Sequence, residues 1–128
     1  MKSTSRSRKK TKKPSLSNLV KKAWTVFSKW IRDRDGGICI TCGKKVTGKN
    51  YHAGHFVSRR HRATMFDERN VNGQCAYCNL YLAGNVPEYS IKIREKWGEG
   101  IVEELVEKSH EIKQFTHKEL EEIIEKYK

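Results

Sequence analysis

The sequence has no run of 18 apolar residues, so no transmembrane helix is expected in it. No apolar stretch follows the basic N-terminus, so it does not read as a secretory signal. The expectation is a chain that stays in a reducing cytoplasm, where cysteine pairs bind metal more often than they form disulfides. Acidic residues are scarce in the first half. Residues 1–64 hold 2 of them beside 18 basic ones, a net of +16, whereas residues 65–128 hold 13 acidic and 9 basic, a net of −4. There is no internal repeat apart from a doubled Cys-x-x-Cys.

The 128 residues suffice for one domain of ordinary size. With 36% apolar residues the core is small, and a domain of this kind often needs a staple. The net charge of +12 and its asymmetry point to a polyanion partner, because each neutralised phosphate releases condensed counterions. Residues 1–14 read as a disordered basic tail that adds non-specific DNA affinity. They lack the apolar face that a membrane surface requires.

Apolar residues at Leu16, Leu19, Val20, Ala23, Trp24, Phe27, Trp30 and Ile31 predict a helix, capped by Ser15 or Ser17 and ended by Gly36-Gly37. Trp24, Phe27 and Trp30 read as core rather than base-stacking residues. Residues 45–57 predict a hairpin, with Val46-Thr47 paired to Tyr51–Val57 across Gly48-Lys49-Asn50. A basic loop follows over 58–68, and a short helix after Cys78. Pro87 opens a helix carrying Tyr89, Ile93 and Trp97, and Ile101–Lys108 is another. Thr116 and Glu119 form a capping box ahead of Leu120, Ile123, Ile124 and Tyr127.

Cys39, Cys42, Cys75 and Cys78 supply four thiolates, which suits a closed, structural tetrahedral Zn²⁺ site. Between Cys42 and Cys75 lie 32 residues, more than the 15–20 of a plain zinc ribbon. The insert carries His52, His55 and Asn70, and Asn79 follows Cys78. A His at a strand end, an Asn in the returning loop and an Asn opening a helix is the order of an HNH, or ββα-metal, nuclease centre.

The stretch from Cys39 to Tyr89 resembles the phage lambda NinG (Rap) recombination family. Gly54-His55-Phe56, Gln74-Cys75, Cys78-Asn79 and Gly84-Asn85 carry the resemblance. Its layout is also similar to Holliday-junction resolvases of the endonuclease VII kind. The resemblance implies an α+β fold: a zinc-stabilised HNH core, treble-clef-like, spanning 15–97 with its N-terminal helix, plus a C-terminal helical extension over 98–128. It implies metal-dependent cleavage of branched recombination intermediates, Holliday junctions or D-loops, in the host cytoplasm if a phage encodes the chain.

By position, His55 matches the general base, Asn70 the residue that orients it through a hydrogen bond, and Asn79 a ligand of a catalytic Mg²⁺ or Mn²⁺. The expected products are a 5′-phosphate and a 3′-hydroxyl. Many HNH nucleases carry a ligating Asp just before the base, where this chain has Gly54. His52 is the first candidate to replace it, with Asp67 and Glu68 as others, and an imidazole ligand favours Mn²⁺. His55 itself is a further candidate ligand. Arg59, Arg60, Arg62 and Arg69 are expected to hold DNA phosphates. A homodimer would suit the two-fold symmetry of a junction. Two other readings stay open: a zinc-stabilised junction-binding protein without cleavage, signalled by Gly54, and a general HNH nicking enzyme on ordinary duplex.

Overall fold

Helix α1 spans Leu16–Asp35, one turn longer than its apolar spacing predicts. The computed structural model describes residues 13–128, so the expected tail lies outside the described residues except for Lys13 and Pro14. The Ser15 hydroxyl accepts the Asn18 N–H at 3.2 Å, satisfying one free donor of the first turn. Gly36 closes the helix with φ 62°, a left-handed conformation that glycine adopts without Cβ strain, and returns its N–H to the Arg32 carbonyl. The face that α1 buries carries Leu19, Ala23, Phe27, Ser28 and Ile31.

Strand β1, Tyr51–His55, pairs antiparallel with strand β2, Val71–Cys75, in the register Tyr51↔Cys75 to His55↔Val71. This corrects the expected hairpin. Gly48–Asn50 is a single 3₁₀ turn, and Lys45 bridges only to Ile38. The true partner of β1 arrives after a connection over residues 56–70. All five residues of β2 are buried, and they bury polar side chains: Asn72 and Gln74 are fully enclosed. Hydrogen bonds replace the alternating apolar pattern by which a strand is usually recognised.

Cys78 lies in a π-turn over Tyr77–Tyr81 that leads out of β2. Helices α2 (Val86–Trp97), α3 (Ile101–Ser109) and α4 (His117–Tyr127) follow close to their expected bounds. The capping box of α4 is formed: the Glu119 N–H reaches Thr116 Oγ1 at 3.1 Å and the Thr116 N–H reaches Glu119 Oε1 at 3.0 Å. Helix α4 packs on α1 through Tyr127 against Phe27 and Trp30, and through Leu120 against Leu19 and Ala23. Tyr89, Ile93, Ile101 and Leu105 join α2 to α3, with Phe56 and Val57 packed on them. Apolar burial of this kind contributes about 1.5–3 kcal/mol per large side chain. The result is an α+β fold in which α1 and the helices after β2 flank a two-stranded sheet. No helix of the described residues is long and apolar enough to cross a membrane.

Candidate active site

The four cysteines converge. Their Sγ atoms all lie within 4.8 Å of one another, and Cys42 and Cys75 are 3.8 Å apart. A tetrahedral ion with Zn–S bonds of about 2.3 Å needs sulfurs roughly 3.8 Å apart. Each knuckle turns its second amide onto its first sulfur: Cys42 N–H to Cys39 Sγ at 3.5 Å, and Cys78 N–H to Cys75 Sγ at 3.4 Å. Burial raises the Cys39 pKa, but the Thr41 hydroxyl and neighbouring amides outweigh it and bring the thiol down to about 6. Burial first, and then the neighbouring sulfurs, push Cys42 and Cys78 up. The metal-free cluster therefore cannot hold four thiolates at neutral pH, and a divalent cation supplies the charge that would complete it. With four protein donors and no open position, the donor set fits a structural Zn²⁺ that ties the loop after α1 to the end of β2.

Beside this cluster α1, β1 and the π-turn enclose a cleft of about 450 Å³. Trp24, Ser28 and Arg32 face it from α1, His52 and His55 from β1, Asn79 from the π-turn, and Arg59 from the basic loop. Three of the residues singled out in the sequence, His52, His55 and Asn79, are thus brought together.

His55 is half-buried, and its Nε2 lies 3.0 Å from the Met65 carbonyl oxygen. A carbonyl only accepts, so Nε2 carries the proton and Nδ1 keeps the lone pair. The ring stacks on Trp24, with centroids 4.8 Å apart and planes at 24°. Burial lowers the His55 pKa, the Met65 hydrogen bond raises it and the Arg59 charge lowers it again, to about 4 in all. The imidazole is therefore neutral at physiological pH.

His52 is held differently. Its Nε2–H donates to the Lys49 carbonyl at 3.1 Å, which leaves Nδ1 to accept the Asn79 Nδ2–H at 3.0 Å. Both ring nitrogens are engaged, so in this arrangement His52 orients Asn79 rather than offering a free ligand. The same bond leaves Asn79 Oδ1 as the free acceptor of that side chain.

Several expectations are corrected by this geometry. Asn70 does not orient His55 through a hydrogen bond. Fully buried, it accepts the Val57 N–H at 2.8 Å and donates to the carbonyls of Val57 at 3.0 Å and Thr64 at 3.1 Å. It clamps the loop whose next residue, Met65, holds His55. Asp67 and Glu68 do not reach the cleft. Asp67 is taken by Arg69 at 3.1 Å and Lys108 at 2.9 Å, and Glu68 accepts the Tyr127 hydroxyl at 2.6 Å. Arg69 is spent on Asp67 and Glu104, both at 3.1 Å, so it is not free for phosphate. Arg60 and Arg62 are exposed outside the cleft lining, while Arg59 borders it. Arg32 and Ser28 were not anticipated. Their signal was a stripe at Trp24, Ser28 and Arg32, spaced by four along the edge of the apolar face of α1.

The absence of a side chain at position 54 has a steric cause. A Cβ there would lie 1.9 Å from Gln74 Oε1 and 2.8 Å from its Cδ. Gln74 is fully buried on the paired strand, with Nε2 donating to the Gly84 carbonyl at 3.0 Å and to Thr41 Oγ1 at 3.3 Å. No aspartate fits at position 54 without rebuilding that contact. Among the described residues the four cysteines are the only cluster of three or more His, Cys, Asp or Glu side chains able to share an ion. For a second cation the cleft thus provides the oxygen of Asn79, the free Nδ1 of His55 and no carboxylate. Two neutral donors suit only an ion that keeps most of its ligands as water.

Comparison with known proteins places this chain among others. The family model described as "Bacteriophage Lambda NinG protein" matches residues 1–128. The "Protein ninG" of Escherichia phage 933W is 33% identical over 110 residues, covering 84% of this chain and 54% of that protein. Those of Salmonella phage P22 and Escherichia phage lambda are 33% and 31% identical over the same length, covering 84% of this chain and 53% of each relative. The chain thus spans about half the length of the curated relatives it matches. No solved structure matches it.

Proposed function

The chain belongs to the NinG family of bacteriophage proteins, and from that premise we propose that it is a metal-dependent, HNH-type endonuclease that cuts branched DNA recombination intermediates such as Holliday junctions and D-loops. The observation that carries the reading is His55, whose Nε2–H is fixed on the Met65 carbonyl while Nδ1 keeps its lone pair beside a basic cleft. The order of the parts supports it: a base on the first strand, an antiparallel second strand, then Asn79 on the turn that follows, with a cysteine knuckle at each end.

In this reading His55 Nδ1 takes a proton from water, and the resulting hydroxide attacks the phosphorus in line with the 3′-oxygen. The P–O3′ bond breaks, and the leaving 3′-oxygen takes a proton from solvent, giving a 5′-phosphate and a 3′-hydroxyl. His55 is unprotonated at physiological pH, so Nδ1 is free to accept, and its pKa of about 4 makes it a weak base that needs a cation to acidify the attacking water. Trp24 and Met65 hold the ring in one orientation, so little reorganisation accompanies proton transfer. Asn79 Oδ1, fixed by His52, would hold an Mg²⁺ or Mn²⁺ that neutralises charge on the phosphate and the leaving oxygen. Arg59 adds positive charge at the cleft.

One observation favours a second reading. The cleft lacks a carboxylate, as expected of a zinc-stabilised protein that binds junctions without cutting them. Cleavage of a labelled four-way junction and a matched linear duplex, each with Mg²⁺, Mn²⁺ or EDTA, separates the possibilities. Metal-dependent cutting that prefers the junction supports the proposal. Equal cutting of both substrates supports a general nicking enzyme, and tight junction binding with no cutting in either metal supports the binding protein.

A further inference from the structure

The cleft beside His55 does not end at α1. Arg32 and Tyr51 border it on one side and, on the other, a second depression of about 560 Å³ edged by Gly36, Gly37 and Lys45. Arg32 stands where the two meet. Its Nη1 donates to Ser28 Oγ at 3.2 Å, and Ser28, buried on α1, passes its own proton to the Thr25 carbonyl at 3.2 Å. That chain of bonds fixes the guanidinium while using one of its five N–H donors.

Among the described residues no carboxylate forms an ion pair with Arg32 or Arg59, and no acidic side chain lines the first cleft. Asp33, on the rim of the second depression, is exposed and paired with Lys29 at 2.7 Å. A half-buried cation fixed by a neutral hydroxyl, with a second cation facing the same space, is a site that an anion completes. The planar fork of arginine matches the two non-bridging oxygens of a phosphodiester, which a lysine contacts only as a point charge.

We propose that Arg32 is the residue that grips the scissile phosphodiester, with the strand running on past Gly36-Gly37 toward Lys45. Ser28 is its positioning residue. The inference rests on the nuclease reading for the word scissile, and on geometry alone for the anion site.

The test uses the full chain, Arg32→Gln and Arg32→Lys, with two readouts. In the first, inorganic phosphate is titrated into each protein while the arginine Nε–Hε resonances are followed by NMR. A saturable shift of the Arg32 resonance in the wild type, with weaker phosphate binding in Arg32→Gln, is expected. In the second, junction binding is measured in EDTA and cutting in Mg²⁺ or Mn²⁺. Arg32→Gln should lower kcat about 100-fold, the scale for losing one preorganised donor to a transition state, while binding falls less than about 10-fold because one phosphate contact among several is lost. Arg32→Lys, which keeps the charge and guards against misfolding of the glutamine variant, should recover part of the rate. Cutting by both variants within twofold of the wild type, or an Arg32 resonance indifferent to phosphate, overturns the assignment. A wild type that cuts nothing sinks the nuclease reading instead, and the phosphate titration still decides whether Arg32 holds an anion.

Discussion

Gly54→Ala should destabilise the protein far more than adding one methyl group to a strand ordinarily would. The new Cβ would sit 1.9 Å from Gln74 Oε1, 2.8 Å from Cδ and 3.1 Å from Cγ, so rotating the amide alone does not clear it. Gln74 must move, and its hydrogen bonds to Gly84 and Thr41 go with it. Two such bonds are worth about 1 kcal/mol each, and overpacking a closed interior costs about 1–3 kcal/mol. Some is returned, because Gln74 Oε1 is a buried acceptor with no hydrogen-bond partner and loses little by moving. The net expectation is about 2–4 kcal/mol, a fall in Tm of roughly 6–16 °C for a domain of this size.

Urea unfolding of the zinc-loaded protein measures it, in a cycle with Gln74→Ala and the double variant. Removing Gln74 first clears the space, so Gly54→Ala should then cost less by about 2 kcal/mol. A single variant that melts within about 1 °C of the wild type, or a cycle with no coupling, would refute the steric account of why this position carries no carboxylate.

Three further outcomes are expected. Cys75→Ser should lose bound zinc, measured by elemental analysis, and melt at lower temperature, since structural zinc binding is coupled to folding; unchanged zinc and Tm would end the four-thiolate reading. His55, with a folded pKa of about 4 against 6.5 in the unfolded chain, adds stability that is fully present above pH 6.5 and is lost as pH falls toward 4. The contribution is on the order of 3 kcal/mol, so denaturation of His55→Asn should show a shallower loss between pH 7 and 4.5 than the wild type. Burial raises the Asp67 pKa, but Arg69 and Lys108 outweigh it and hold the carboxyl at about 2; this adds about 2 kcal/mol of stability above pH 4 that disappears toward pH 2. Asp67→Asn should therefore unfold more easily in urea at pH 7 yet keep the metal dependence of cutting, and a changed metal dependence would return Asp67 to the set of candidate ligands.

The helices were legible because α1 and α4 repeat apolar residues at helical spacing and carry their own stop and start signals, Gly36-Gly37 and the Thr116–Glu119 box. The cysteine cluster was legible from spacing alone. Strand β2 was not, since Asn72 and Gln74 are buried by hydrogen bonding. Asn72 Oδ1 accepts from Arg34 at 3.1 Å, Lys96 at 2.9 Å and the Trp97 indole at 3.3 Å, partners that only the fold assembles. Missing β2 gave β1 the wrong partner. Within the site, His52, His55 and Asn79 come together, but the contacts that hold them are not the expected ones. Met65, through its backbone, holds His55, and His52 holds Asn79; a carbonyl contact of this kind leaves no trace in side-chain pattern. Arg69 looked free for DNA because Glu104 comes near it only in three dimensions.

If His55 is the base of a nuclease, His55→Ala removes cutting and spares DNA binding. Wild type and variant would be compared on one labelled four-way junction, for binding in EDTA and for cutting in Mg²⁺ and Mn²⁺. Metal-dependent cutting by the wild type and none by the variant, with junction affinity retained, is the expected result. A variant that cuts at the wild-type rate contradicts it.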